Sequence, residues 1–352
     1  MPKYSIIIPV YNRPDEVDEL LSSLTRQAYA DFEVIVVEDG SSVKCGDVCE
    51  RYEDRLPIHY YYKDNSGPGQ SRNYGAERAQ GEYLIILDSD VVLPDGYLTA
   101  VDTELTAAPC DAFGGADASH PSFTPVQKAI SYSMTSFFTT GGIRGGKAGK
   151  KSGQAKLDRF YPRSYNMGIR RDVYTSLGGF SKMRFGEDID FSYRIIEAGH
   201  SSRLFPDAWV WHKRRTDLKK FFRQVYNSGI ARINLEKRHP GTMKLVHLLP
   251  MVFTVGVLTL IILSAVGRAM SHYCGNGWLW LFWAPWIPIV LYSAMILVDS
   301  TVQHRSLRIG YLSVAAAFTQ LMGYGFGFLE AWWKRCVKGQ DEFQAFEKNF
   351  YK

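Results

Sequence analysis

Three apolar stretches in the last third of the chain constrain its fold more than any other feature. Residues 245–266 are almost wholly apolar, interrupted only by His247 near the start. Residues 278–298 open with Trp278, Trp280, Trp283 and Trp286, the pattern of an interfacial aromatic belt. Residues 309–329 are weaker, containing Gln320 and the glycines Gly323, Gly325 and Gly327. Each stretch is near the roughly 20 residues that cross a hydrocarbon core. The first two are expected to span. The third either spans or forms a re-entrant or interfacial segment. A purely soluble protein is disfavoured.

Charge gives an orientation. Between residues 203 and 244, eleven Lys or Arg stand against three acids, which assigns this flank to the cytoplasm. Arg268 alone marks the next loop, and Arg305 with Arg308 the one after. The tail disagrees, because Lys334, Arg335 and Lys338 would lie outside if all three stretches crossed. Either the third segment turns back or the tail tolerates the wrong side. The expected location is integral and multi-pass, in the cell inner membrane, with the first half in the cytosol. No signal peptide is expected, since Lys3 leads at once into Ile6-Ile7-Ile8-Pro9, too short an apolar run and without a cleavage site.

Upstream of residue 243 the pattern is that of a soluble α/β domain. Apolar runs at 6–9, 32–37, 58–62 and 83–87 predict strands. Helical spacing at 15–26, 46–55 and 69–79 separates them. Such alternation predicts a mostly parallel, Rossmann-like sheet covered on both faces, followed by an α-helical membrane region. The chain of 352 residues is 46% hydrophobic and 22% charged, which excludes disorder, and a net charge of +5 is too small to call for nucleic acid. Cys45, Cys49, Cys110, Cys274 and Cys336 are odd in number and scattered, which predicts free thiols. Cys45 and Cys49 could form half a zinc site, but nothing completes it.

Ligands of parallel sheets sit outside the carboxyl ends of the strands. Tyr11 and Asn12 follow the first strand, Glu38 and Asp39 the second, and Asp88-Ser89-Asp90 the fourth. The first turn reads Val10-Tyr11-Asn12-Arg13-Pro14, without the glycines of a nicotinamide site, and there is no Walker loop. Gly67-Pro68-Gly69 precedes a helix carrying Arg72, an arrangement suited to a phosphate. Two carboxylates just past a buried strand are costly unless a cation neutralises them. A hard divalent ion, Mg2+ or Mn2+, would do so and keep positions open for a diphosphate.

Together, Ile8-Pro9-Val10-Tyr11-Asn12, Val36-Val37-Glu38-Asp39-Gly40-Ser41, Gly67 to Arg72-Asn73, Leu87-Asp88-Ser89-Asp90 and Gly186-Glu187-Asp188-Ile189-Asp190 with Arg194 resemble the family-2 glycosyltransferases of GT-A fold. The resemblance covers residues 3–235. It implies inverting transfer of a sugar from a nucleotide-diphosphate donor. By position it implies base and ribose contacts for Pro9, Tyr11 and Asp39, with Glu38 sharing that role. Arg72 would lie near the diphosphate. Asp88 and Asp90 match the metal-binding pair, with Asp90 the direct ligand. Asp188 resembles the catalytic base, with Glu187 beside it, and burial is expected to raise the pKa of Asp188. The acids at 187 and 188 also suit a helix N-terminus, and Asp190 with Arg194 suits a structural pair. His212 sits where relatives place a histidine near the metal or diphosphate. Asn166 and Gly168 resemble the acceptor-side strand.

Two further segments stand out. Residues 139–165 are rich in Gly and Lys and read either as a lid or as a solvated loop. Residues 216–234 fit an amphipathic helix, at the membrane surface or on the catalytic domain, and could cradle a lipid-linked phosphate. The Gln-x-x-Arg-Trp pattern of processive polysaccharide synthases is missing there. The sequence thus implies a catalytic domain at 1–235, a membrane region at 243–333 and a polar tail at 334–352. The reading is transfer, from a UDP-sugar by default, to a lipid-linked or membrane-associated acceptor in glycan or polysaccharide biosynthesis. A polyprenyl-phosphate sugar synthase, a processive synthase and a non-catalytic nucleotide-sugar-binding scaffold are the alternatives.

Overall fold

The computed structural model describes residues 1–140 and 160–347. Most of the Gly- and Lys-rich segment at 139–165, with its lid reading, lies outside the described residues. The chain divides into two units: residues 1–120 with 160–213, and residues 121–140 with 214–347.

The first unit is built on four parallel strands: β1 (Tyr4–Val10), β2 (Phe32–Asp39), β3 (Ile58–Lys63) and β4 (Tyr83–Ile86), ordered β3-β2-β1-β4. β1 and β2 are buried at every position. Successive side chains point to opposite faces of a strand, so both faces must be covered. Ile6 and Ile8 pack with Val17, Leu20 and Leu21 of helix Pro14–Leu24. Their neighbour Ile7 packs on the other face with Ile35, Val37, Phe191 and Ile195. Helix Pro68–Ala76 lies close on this second face because Gly75 has no side chain. A Cβ there would stand 2.7 Å from Ile7 Cγ2.

Beyond β4 the sheet changes direction. β8 (Met167–Arg170) pairs antiparallel with β4 and with β6 (Ala112–Gly114), and β9 (Ser202–Leu204) pairs parallel with β6. A second sheet joins β5 (Val91–Val92), β10 (Val210–His212) and β7 (Asp117–Ala118) in that spatial order. These short strands have no apolar run in the sequence. They matter because they set the register of the polar loops around them.

The second unit is helical. Leu249–Cys274, Asn276–His304 and Leu307–Val337 are each long and apolar enough to cross a membrane. The third is the most buried of the three, and its glycines explain why. A Cβ on Gly327 would stand 2.0 Å from the carbonyl oxygen of Tyr226, and one on Gly229 would stand 2.1 Å from that of Tyr324. Helix Leu218–Arg238 therefore crosses Leu307–Trp332 with backbones in contact, as small residues allow. Its start is fixed by Asp217, which accepts the N–H of Lys220 at 2.7 Å. All five cysteines are free thiols.

Candidate active site

The loop Asp88-Ser89-Asp90 lies between the two sheets. Leu87 N donates to Ile7 O at 3.1 Å, which keeps the chain on β1, and Val91 N then turns back onto Asp88 O at 3.3 Å. β5 follows, and its antiparallel partner β10 sets His212 opposite Val91. Lys213 N donates to Asp90 O at 3.0 Å. His212 stands over 120 residues further along the chain than Asp88 and Asp90. The two sheets bring them together, and each offers a donor atom within 4.8 Å of the others. His212 Nε2 lies 3.3 Å from Asp90 Oδ1. Its Nδ1 is buried without a hydrogen-bond partner among the described residues, 3.9 Å from Asp117 Oδ2. The Tyr165 ring stacks on the imidazole at 4.9 Å. Two carboxylates and an imidazole fit a divalent first-row ion. The nitrogen donor favours Mn2+ over Mg2+, which prefers oxygen.

Each carboxylate already meets a guanidinium. Arg72 Nη2 donates to Asp88 Oδ1 at 2.8 Å, and Arg13 Nη1 donates to Asp90 Oδ2 at 2.6 Å. Arg72 is 3% exposed and reaches Glu187 Oε1 at 3.2 Å with its other terminal nitrogen. Burial opposes the charge on Arg72, but Asp88 and Glu187 outweigh it and raise its pKa. Burial pushes the Glu187 carboxyl up. Arg72 pulls it back and the neighbouring Asp188 adds to the rise. Arg13 is placed by Asn12, whose φ of +55° lies in the left-handed region that Asn tolerates. Asn12 Oδ1 accepts the N–H groups of Ser42 and Val43 at 2.8 and 2.9 Å, which fixes the turn.

Four further candidate residues lie at the ends of β1 and β2. Pro9 is buried opposite Val37. Tyr11 is open, at 53% exposure. Glu38 is fully buried: its Oε2 accepts Cys45 N and Tyr60 Oη at 2.7 and 2.9 Å, while Oε1 has no partner among the described residues. Asp39 accepts Lys63 Nζ at 2.6 Å and the N–H groups of Ser66 and Gly67 at 2.9 and 2.8 Å. It therefore shapes the turn that leads into helix Pro68–Ala76.

Helix Glu187–Glu197 follows Gly186, whose φ of +84° suits glycine. Glu187, Asp188 and Asp190 all fall in its first turn, where acids complement the helix dipole. Asp188 is partly open, with Arg163 Nη1 3.4 Å from its Oδ2. Asp190 is buried and accepts Ser181 Oγ and Arg194 Nε at 2.7 and 3.1 Å. Arg194 also donates to the carbonyls of Leu177 and Gly179, so this pair ties the helix to the preceding loop. Asn166 is fully buried, with Tyr97 Oη donating to its Oδ1 at 2.7 Å and its Nδ2 donating to Ala208 O at 2.8 Å. Gly168 faces Phe113, whose ring would stand 1.9 Å from an added Cβ. These two residues shape their strand from inside the protein. Arg13, Arg163, Asp117 and Tyr165 escaped the sequence reading. Arg13 directly follows Tyr11-Asn12, a usable signal, whereas Asp117 reaches His212 only through β7 pairing with β10.

The family model described as glycosyl transferase family 2 matches residues 5–174. An uncharacterized glycosyltransferase of Rickettsia bellii is 39% identical over 88 residues, covering 25% of this chain and 13% of the relative. The validoxylamine A glucosyltransferase of Streptomyces hygroscopicus subsp. jinggangensis is 40% identical over 105 residues, covering 29% of this chain and 25% of the relative. The chain thus spans a quarter or less of the length of these curated relatives. Among solved structures, a mannosyltransferase from Pyrobaculum calidifontis in complex with GDP-Man and Mn2+ aligns with a TM-score of 0.56. It covers 91% of this chain and 87% of that one at 16% identity, a likeness of fold. That fold is GT-A, and residues 5–174 of this chain are a glycosyl transferase family 2 domain.

Proposed function

We propose that the chain is a metal-dependent, inverting glycosyltransferase, moving a sugar from a UDP-sugar to a hydroxyl of a lipid-linked or membrane-associated acceptor. The observation that carries this reading is the Asp88, Asp90 and His212 cluster at the carboxyl edge of the parallel sheet, beside Arg72. A divalent ion bound there, Mn2+ in the first instance, would stabilise charge on the departing diphosphate. Arg72 sits at the N-terminal part of its helix and adds positive charge to the same edge. Tyr11 is open to stack on a base, while Pro9, Glu38 and Asp39 form the floor of the nucleotide edge. Asp188 is the partly open acid of its helix turn and takes the proton of the attacking hydroxyl. Glu187 holds Arg72.

The same reading sets the apolar helices in the inner membrane as a multi-pass anchor, with the basic flank at 203–244 in the cytoplasm. Membranes containing the protein, incubated with labelled nucleotide sugars and Mn2+, should transfer label into an organic extract. Chelation should stop transfer, and D90N should abolish it. Transfer that persists under chelation defeats the metal role. The ion pair of Asp188 with Arg163 favours one second reading, a polyprenyl-phosphate sugar synthase whose nucleophile is already an anion. There D188N would keep activity while D90N loses it.

A further inference from the structure

The three apolar helices differ in what they touch. Near one end of the first two, Ser264 Oγ donates to Phe282 O at 2.9 Å and Trp286 Nε1 donates to Ser264 Oγ at 3.0 Å. A Cβ on Gly267 would stand 2.4 Å from Phe282 N. Further along, the rings of Phe253 and Tyr292 meet at 5.3 Å. Leu249–Cys274 and Trp286–His304 therefore form an antiparallel hairpin that turns between them. The start of the first helix and the end of the second share the hairpin's other end.

Leu307–Trp332 is tied to that other end at both of its own ends. Its early turns meet the close of the second helix. Ser313 and Ser300 share an Oγ–Oγ hydrogen bond of 2.7 Å, and a Cβ on Gly310 would meet Thr301 Oγ1 at 2.2 Å. Its later turns meet the opening of the first helix. Thr254 Oγ1 donates to Leu321 O at 3.3 Å, and a Cβ on Gly325 would stand 2.7 Å from Pro250 O. An apolar groove of about 470 Å³ lies between Met243, Leu248, Met251, Trp332 and Cys336, which sets the helix's C-terminal end beside the start of the first. At 1.5 Å per residue the helix is about 39 Å long. Running along the hairpin, it would carry one end to the level of Ser264 and Phe282. Exposed apolar side chains run the length of the hairpin, from Val252 and Val302 at the near end to Ile262 and Trp280 towards the far end.

We propose that Leu307–Trp332 does not cross the bilayer. It lies across the cytoplasmic end of a two-helix hairpin, packed with Leu218–Arg238 and Pro125–Thr135 into a platform that beds on the lipid surface. This rests on the membrane reading given above. It brings the tail to the same side as the basic flank and removes the charge conflict of a third crossing. Lys237, Lys244, Arg308, Lys334 and Lys338 then share one face, and Arg268 alone stands near the opposite turn.

Cys274 at the hairpin turn and Cys336 beyond the third helix are exposed thiols that can report the outcome. Full-length C336S and C274S, each keeping one of the two, would be treated with a membrane-impermeant maleimide before and after permeabilising cells. The C336S chain should be labelled in intact cells, and the C274S chain only after permeabilisation. Labelling of both in intact cells means that the third helix crosses and overturns the inference. Labelling of C336S only after permeabilisation means that the hairpin itself does not cross, so the membrane reading fails instead. Alkaline phosphatase fused after Lys338 gives an independent readout: it should be inactive, and an active fusion overturns the proposal.

Discussion

Arg72 holds two carboxylates from separate parts of the chain, so its loss should cost more than one contact. Arg72→Met would leave Asp88 and Glu187 without their cation in a nearly closed setting. Breaking such a pair typically costs about 3–5 kcal/mol. A clear fall in thermal midpoint is expected, and R72K should rescue little because one ammonium cannot serve both acids. Arg13 has a different effect, since it competes for the oxygen that a metal needs. Arg13→Gln removes the ion pair on Asp90 Oδ2, so Mn2+ binding without nucleotide should tighten about five-fold or more, read by loss of the free-ion EPR signal. Glu187 gives a pH signature. Its folded pKa is raised, so the folded chain keeps a proton that the unfolded chain has already released. Its contribution is therefore best below the ordinary glutamate range, about pH 4.3, and declines as pH rises towards the raised value. Melting midpoints across this range should fall more steeply for the wild type than for E187Q.

At the scale of elements, the crossing of Leu218–Arg238 over Leu307–Trp332 depends on absent side chains. Gly327→Leu would push a branched chain into the Tyr226 backbone. Overpacking usually costs about 1–3 kcal/mol, and here the obstacle is main chain, so the cost should reach the top of that range or pass it. Thermal melting in detergent would show it, with Mn2+ binding at the first unit unchanged. The same glycines mark where the sequence was hardest to read. In a hydropathy pattern Gly323, Gly325 and Gly327 weaken a span, and only packing shows that they admit neighbouring backbones. The four parallel strands were legible because burial on both faces leaves apolar runs. The strands β5, β7 and β10 were not, being two or three residues long with partners far along the chain. Asp88 and Asp90 were therefore visible as a motif, while the contact of Arg13 with Asp90 and of Asp117 with His212 needed the fold.

At the scale of the whole molecule, two aromatic sets stand apart on the second unit. Trp280 and Trp283 are exposed near the hairpin turn, and Trp332 and Trp333 are exposed beyond the third helix. Indole rings settle at the boundary between headgroups and hydrocarbon. Two such girdles, one at the hairpin turn and one at the end of the third helix, make a depth gauge. In vesicles of graded acyl-chain length, sugar transfer should peak where the bilayer matches the gap between the girdles and fall on either side. Each ångström of mismatch costs only a fraction of a kcal/mol, but the penalty grows with the misfit. A flat response would mean that the rings do not set the depth. A peaked one would make bilayer thickness a control on where in a cell's membranes this protein works.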